Sequence, residues 1–256
     1  MASPKKQVQN MSQPSSNSVV IDIGSYTCKI GFAGYDKPLF ELPSNSYIDD
    51  DELAENEVLS FKNPFNKGIV SDWESMTNLL DHAYKNMLNV DPADHCLLIT
   101  EPPLNPKENR EKIAQIMFET FNVPSFYLGN QSVLSLYASG RTTGFAIDLG
   151  YQASYFTPVY EGYAIEQGIQ KLQIAGKDLD SYLSKVLSKK YKMPVKMREY
   201  VDIKEKLSYA AFDYEAEIKK AKNSRLCNAS YALNNGSTIA LSEERFSYYF
   251  SLACSE

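Results

Sequence analysis

Apolar and polar positions begin to alternate at Val19. VVID, a Gly-Ser break and then TCKIGFAG form two β-prone runs around a tight connection, the pattern of a hairpin. After a weakly patterned stretch, Trp73, Met76, Leu79, Leu80, Ala83, Tyr84, Met87 and Leu88 recur at helical spacing, and Ser71-Asp72-Trp73-Glu74 before them resembles a capping box. CLLIT (Cys96 to Thr100) is a continuous apolar run of the kind found in a buried parallel strand, closed by Pro102 and Pro103. Asn105-Pro106 opens the next helix, with Glu108 placed to reach back and Ile113, Ile116, Met117 and Phe121 on one side. SFYL (Ser125 to Leu128) then reads as a strand and SVLSLYAS as a helix ending at Gly140, a residue suited to a left-handed cap. GFAIDLG and ASYFTPVYEGYAI form a second pair of β-prone runs, followed by helical spacing over residues 176–190 and 199–221. Strands alternating with helices place the chain in the α/β class.

The two hairpin patterns share a phrase: VVIDIGSY (Val19 to Tyr26) and FAIDLGYQ (Phe145 to Gln152). Each copy ends a strand, precedes a second strand and heads a mixed half, which is the signature of an internal duplication. Turns of this kind bind phosphates when small residues let successive backbone N–H groups point inward, while an Asp at the strand end organises a metal and its waters. Two such turns facing one cleft imply two jaws on one nucleotide.

Composition narrows the alternatives. At 256 residues the chain can bury one large core or two modest ones, and 43% hydrophobic with 23% charged residues is a globular balance. A net charge of −6 opposes direct contact with nucleic acid, which needs clustered positive potential. Cys28, Cys96, Cys227 and Cys254 lack paired-ligand spacing and read as reduced thiols, and the isolated His82 and His95 suggest no zinc site. The opening MASPKKQVQNMSQPSSNS has no apolar core for a signal peptide, and no apolar run is long enough to span a bilayer, so a cytoplasmic protein away from membranes is expected. The acidic run Asp49 to Glu57 reads as a solvated loop, and Lys185, Lys189, Lys190 and Lys192 as a solvated helix end.

The stretch from Glu101 to Gly144, EPPLNPKENREKIAQIMFETFNVPSFYLGNQSVLSLYASGRTTG, closely resembles the corresponding segment of the actin family. So do KIGFAG, PVYEGYAI, IAGKDL and DIKEKLSYAAFD, and the likeness extends from Val19 to about Arg245. The resemblance implies the actin-type ATPase fold (a duplicated ribonuclease H-like α/β fold), with two domains around a nucleotide cleft that takes ATP or ADP with Mg²⁺. It divides the chain into a flexible tail 1–18, a first domain 19–143 with a shortened insertion 43–67, and a second domain 144–256. Position by position, Asp22 and Asp148 match the acids that organise Mg²⁺ through water. Gly24, Ser25 and Lys29 match the first phosphate loop and Gly150 the second. Gln131 matches the residue that orients the attacking water, and Lys204 and Glu205 match residues lining the adenosine pocket. Tyr137, Gly140 and Thr142 match positions in a groove where actin-binding proteins dock an amphipathic helix.

The sequence departs from the family's pattern at several of these places. Tyr26 stands where the family has Gly, and a Gly-specific φ there would strain Tyr by about 1 to 3 kcal/mol. Tyr151 and Gln152 replace an acidic residue and a Gly in the second loop, and Tyr155 replaces a His that helps position water. The text stops at Glu256, where the family's chain continues for its C-terminal third, so helix faces such as that of 72–89 are expected to be exposed and to seek a partner. The resemblance therefore implies an actin-like structural or interaction protein of the cytoskeleton or of a larger complex, with weak or absent ATP binding. Its partners would be actin, actin-binding proteins or subunits of such a complex. The alternatives are an ATP-binding, polymerising actin and a nuclear actin-related subunit of a chromatin-remodelling complex.

Overall fold

The computed structural model describes residues 18–44, 63–191 and 197–247. Most of the expected tail and insertion, the Asp49 to Glu57 run, Lys192 and Cys254 lie outside the described residues, and Ser18 already belongs to the first strand. The chain divides into two compact units, residues 1–173 and 174–256.

The first unit is built on a five-stranded sheet. β1 (Ser18–Ile23) and β2 (Thr27–Phe32) form the expected hairpin, with Asp22 opposite Lys29, and β3 (Phe40–Pro43) pairs outside β2. β4 (Phe65–Asn66) and β5 (Ile69–Val70) make a small separate hairpin. β6 (Cys96–Glu101) pairs parallel to β1, and β7 (Phe126–Asn130) pairs parallel to β6, giving the order β3-β2-β1-β6-β7.

Helix α1 (Trp73–His82) continues as a π-helical turn over Ala83–Leu88 and stops at Asn89, which takes the left-handed conformation at φ 55°. Its cap is Asp72 rather than Ser71: the Asp72 carboxylate accepts from the Ser75 N–H at 3.1 Å, whereas the Ser71 hydroxyl donates to the Pro64 carbonyl. Helix α2 (Lys107–Gln115) likewise runs on into a π-helical turn, Ile116–Thr120. The apolar faces of both helices pack with Val19, Ile21, Ile23, Cys28 and Ile30 in one core. The face of 72–89 is thus covered, contrary to expectation, because the sheet of its own unit already buries Met76, Leu79, Leu80, Ala83, Tyr84 and Leu88.

Helix α3 (Gln131–Ala138) is capped by Asn130, whose side chain accepts from the N–H groups of Ser132 and Val133, and it ends at Gly140 with φ +73°, the left-handed cap read from the sequence. Strands β8 (Gly144–Leu149) and β9 (Ser154–Tyr160) form the second hairpin, extended on the far side of β9 by β10 (Tyr163–Ala164) and β11 (Gln170–Leu172). A buried hydrogen bond of 3.1 Å between Ser132 and Thr157 ties α3 to β9, and Gly144 lies so close to Leu136 that an added Cβ would meet it at 3.1 Å. These contacts hold the second hairpin within the first compact unit, which runs to Gln173.

The second unit packs α4 (Gly176–Tyr191), α5 (Met197–Leu207) and the hairpin β12 (Ala229–Ala232) and β13 (Thr238–Leu241) around Leu183, Leu187, Tyr200, Ile203, Leu233, Ile239 and Leu241, while α6 (Tyr214–Asn223) buries no residue of its own. The single helix expected over 199–221 is two, because Asp213 caps a new helix by accepting from the Ala216 N–H at 2.9 Å. Lys190 pairs with the buried Glu244 carboxylate, so this lysine is part of the unit's packing.

Tyr84 is wholly buried, and among the described residues its hydroxyl has no hydrogen-bond partner. A buried hydroxyl without a partner costs about 1 to 3 kcal/mol, so Tyr84→Phe should leave stability unchanged or raise it by up to ~1 kcal/mol in urea unfolding. A loss of stability would show that the hydroxyl is satisfied.

Candidate functional site

The duplication read from the sequence is present in three dimensions. In the first hairpin the Gly24 N–H donates to the Thr27 carbonyl at 3.0 Å, and in the second the Gly150 N–H donates to the Ala153 carbonyl at 3.1 Å. A Cβ added at either glycine would lie 2.7 Å from that carbonyl oxygen, a separation real Cβ atoms do not reach, so both turns require glycine through close approach. Asp148 sits opposite Tyr155 as Asp22 sits opposite Lys29.

Both turns open on one cleft of about 480 Å³, lined among others by Asp22, Gly24, Ser25, Lys29, Gln131, Asp148 and Gly150. The lining residues all belong to the first unit. Lys204 and Glu205 lie on α5 in the second unit, where the Lys204 ammonium stands 2.7 Å from the buried Asp180 carboxylate and Glu205 is exposed.

Thr100, which the sequence reading passed over, organises the floor of the cleft. Parallel pairing of β1 with β6 places it beside Asp22, and its hydroxyl donates to Asp22 Oδ1 at 2.7 Å while accepting from the Ile23 N–H at 3.0 Å. The Gln131 side-chain amide comes from the first turn of α3 and lies within 3.2 to 3.3 Å of Thr100 Oγ1, the Ile23 carbonyl and Asp22 Oδ1. Its two N–H groups are shared among three acceptors, which leaves Oε1 as the side chain's acceptor for a ligand or water. The signal available in the sequence was the polar residue that closes the apolar run CLLIT.

The charges are arranged around this floor. Lys29 Nζ is 3.7 Å from Asp22 Oδ2, with both side chains partly exposed. Burial and then the charge of Asp22 hold the Asp148 carboxyl above the ordinary carboxylate range, with Lys29 acting the other way. Two acids that feel each other across a cleft suit a cation, and among the described residues no group of three or more His, Cys, Asp or Glu could ligate one directly. Asp22 and Asp148 therefore fit a Mg²⁺ ion held through its waters, with Lys29 nearby as a phosphate partner. Cys28 behind them is buried, and burial, reinforced by Asp22, pushes its thiol to about 12, so it is chemically inert at neutral pH.

The two loops themselves have changed character. Tyr26 does not take a positive φ; the non-glycine residues that do, among those described, are Lys67, Asn89, Leu104, Asn122 and Glu161. The strain expected of Tyr at a glycine position is therefore absent, because the turn closes with an ordinary backbone. The loop's carbonyls are drawn into the protein: the Ser44 hydroxyl donates to Gly24 O at 2.6 Å, the Ser44 N–H to Tyr26 O at 2.7 Å and the Asn63 amide to Ser25 O at 3.3 Å. Gln152 is not among the lining residues of the cleft and fastens the second turn to the β4–β5 hairpin, accepting from the Gly68 N–H at 3.2 Å and donating to the Phe65 carbonyl at 3.4 Å.

Across the cleft the rings of Tyr26 and Tyr151 meet with centroids 4.7 Å apart. Tyr155 is buried and lines the same cleft; among the described residues its hydroxyl has no hydrogen-bond partner, and burial followed by the charge of Asp148 raises it to about 12. It therefore keeps its proton at neutral pH and cannot exchange one with water as an imidazole would.

Removing the charge of Asp22 should bring the Asp148 pKa down, read by NMR titration of Asp22→Asn. A carboxyl that binds its proton more tightly in the folded chain contributes fully to folding below its ordinary pKa, and that contribution is lost as pH rises through the raised value. Asp148→Asn should therefore stabilise the protein at neutral pH, with the gain disappearing in acid. An equal effect at both pH values would exclude this coupling.

No helix among the described residues is long and apolar enough to cross a membrane. Compared with models of known protein families, residues 13–252 of the chain match the family described as Actin.

Proposed function

Because the chain belongs to the actin family, we propose that it is an actin-like structural and interaction protein, cytoplasmic and part of the cytoskeleton or of a larger complex, whose ATP binding and hydrolysis are weak or absent. The observation that carries this reading is the Tyr26–Tyr151 pair. In the nucleotide-binding arrangement the two Asp-x-Gly turns face each other across phosphates, with their N–H groups as donors. Here two phenol rings in contact line the cleft onto which both turns open, and on this reading they crowd the place of the phosphates. Loss of one aromatic contact and of several charge-assisted hydrogen bonds, each worth about 1.5 to 3 kcal/mol, would take affinity far below that of a dedicated nucleotide site.

What remains is compatible with interaction. Tyr137, Gly140 and Thr142 are exposed at the end of α3, and the Thr142 carbonyl accepts from the Gly162 N–H at 2.7 Å, which holds that surface to the β9–β10 turn. Actin itself, actin-binding proteins or fellow subunits of a complex are the partners this surface would meet.

A second reading, an ATP-binding actin that polymerises, is favoured by the retained Asp22, Lys29, Gln131 and Asp148 around a cleft of about 480 Å³. On that reading Asp22 and Asp148 would hold Mg²⁺ through water and Gln131 Oε1 would orient the attacking water. The bound nucleotide would supply the phosphoryl group, and Tyr155 would contribute no base.

Titration calorimetry with Mg-ATP separates the two. The proposal expects binding weaker than micromolar, and a Tyr26→Gly/Tyr151→Gly pair, which opens the space between the turns, should tighten it by about tenfold or more, a gain of ~1.4 kcal/mol. Submicromolar binding by the unaltered protein, or filaments that disassemble when nucleotide is withdrawn, would overturn it.

A further inference from the structure

The acid that ends the first strand of each duplicated hairpin has a different residue opposite it in the two copies. Asp22 is paired in register with Lys29, and their side chains form an ion pair at 3.7 Å; Asp148 is paired with Tyr155, a neutral phenol, and among the described residues has no ion pair. The second acid therefore lacks the ammonium that the first one has. The charged side chains lining the cleft are Asp22, Lys29 and Asp148, so with all three ionised the acids are in excess. Lys171 does not offset them: its ammonium lies 5.3 Å from the centre of the Tyr155 ring, but it donates to the Lys67 carbonyl at 2.9 Å and is not a lining residue.

The rest of the lining suits an organic group. Tyr26 and Tyr151, whose ring centroids are 4.7 Å apart, stand with Phe65, Pro102 and Leu134 on this cleft of about 480 Å³, a small-molecule volume rather than that of one ion. Phenol rings attract a cation through their faces, most strongly where water is excluded. Tyr155 is an independent sign of a ligand. It is 4% exposed and lines the cleft, and its hydroxyl lies 3.4 Å from the point where a Cβ on Gly68, another lining residue, would stand. Among the described residues that hydroxyl has no hydrogen-bond partner, a costly condition that a polar head group reaching it would end. The free capacity around it is mostly acceptor: the Asp148 carboxylate and Gln131 Oε1 can each receive a proton donor, while the N–H groups of Gly24 and Gly150 are spent on closing their own turns. An ammonium brings three donors and no acceptor, and a phosphate brings the reverse.

We propose that the cleft binds a primary alkylammonium, with the head group paired to Asp148 and reaching the Tyr155 hydroxyl and the alkyl chain against Tyr26 and Tyr151. The inference rests on the reading that nucleotide binds weakly, and its test is run without nucleotide. Submicromolar Mg-ATP binding therefore strikes that reading, whereas absence of amine binding beside weak Mg-ATP binding strikes this inference alone.

The probe is spermidine, titrated by calorimetry into the full protein at about 0.15 M salt, which screens loose attraction to a chain of net charge −6. One-site binding is expected, with the ring signals of Tyr26 and Tyr151 shifting in NMR spectra over the same titration. Asp148→Asn, which removes the charge and keeps the shape, should weaken binding at least about tenfold, and Tyr155→Phe, which removes only the hydroxyl, about threefold or more. Hexyltrimethylammonium, with charge and chain but no N–H donor, should bind at least about tenfold more weakly than hexylamine; this comparison uses the unaltered protein and decides the matter if the variants misfold. A blocked lysine peptide presents the same head group on a polypeptide, and whichever of it and spermidine binds more tightly identifies the source as a partner's lysine or a free amine. Failure of both to bind, spermidine binding that survives Asp148→Asn unchanged or leaves the Tyr26 and Tyr151 signals unmoved, or equal binding of the two hexyl compounds would each overturn the proposal.

Discussion

One hydroxyl joins the elements on which the cleft depends. Thr100 accepts from the end of β1, donates to Asp22 and receives the amide of Gln131, so β1, β6 and the first turn of α3 are fixed at a single point. Neutral hydrogen bonds contribute about 1 kcal/mol each, and those to a charged group more, but leaving a buried member unpaired costs further. The geometry of the floor is therefore set by mutual satisfaction. Asp22 is held by Thr100 and Gln131 and balanced by Lys29, so its carboxylate is oriented by the protein's own groups. Tyr26 and Tyr151 stand in the turns beside this floor.

Much of this was legible in the chain. The hairpin at Val19, the parallel strand at CLLIT, the helices on either side of it and the left-handed cap at Gly140 follow from apolar period and turn residues, because local sterics and burial act in the same direction there. The repeated Asp-x-Gly phrase marked both turns and both acids. What escaped were features set by partners distant in sequence. Thr100 gains its meaning only when β6 aligns with β1, and Gln152 only when Gly68 comes within reach. The break between α5 and α6 lay in a stretch, 199–221, whose helical period masked Asp213 as a cap, and the β12–β13 hairpin beyond it was marked only by Asn234-Asn235-Gly236, a turn with Gly236 at φ +81°. The strain assigned to Tyr26 failed because a family's glycine does not always mark a left-handed backbone; here the turn's demand for glycine falls on Gly24, through its approach to Thr27.

The duplication also explains where exposed apolar surface occurs. A hairpin built like β1–β2 has one face committed to a core whatever its neighbours, since alternate side chains point the same way. In the first copy α1 and α2 meet that face; in the second, α3 and the Ser132–Thr157 bond hold only the opposite side. The helix at 72–89, which the sequence marked as exposed, is thus buried, and the exposed surface appears at Phe145, Ile147 and Leu149 instead. A pattern of apolar residues specifies that a face will be buried, and only the topology specifies by what.

The substitutions at the turns act on stability and on ligand choice together. In a nucleotide-dependent cleft the ligand bridges the two turns, and its metal neutralises the facing acids. Here Tyr26 and Tyr151 bridge the turns themselves, a contact worth about 0.5 to 1.5 kcal/mol, and Gln152 fastens the second turn to the β4–β5 hairpin. The turns therefore stay together without a ligand. The charge balance has not followed: Asp22 and Asp148 face a single Lys29, and Asp148 remains under the repulsion of Asp22. The cleft therefore keeps two acids that suit a cation beside two tyrosine rings in contact. If the function is the one proposed, the actin-type floor is retained as a structural element and partners are discriminated by surfaces outside the cleft.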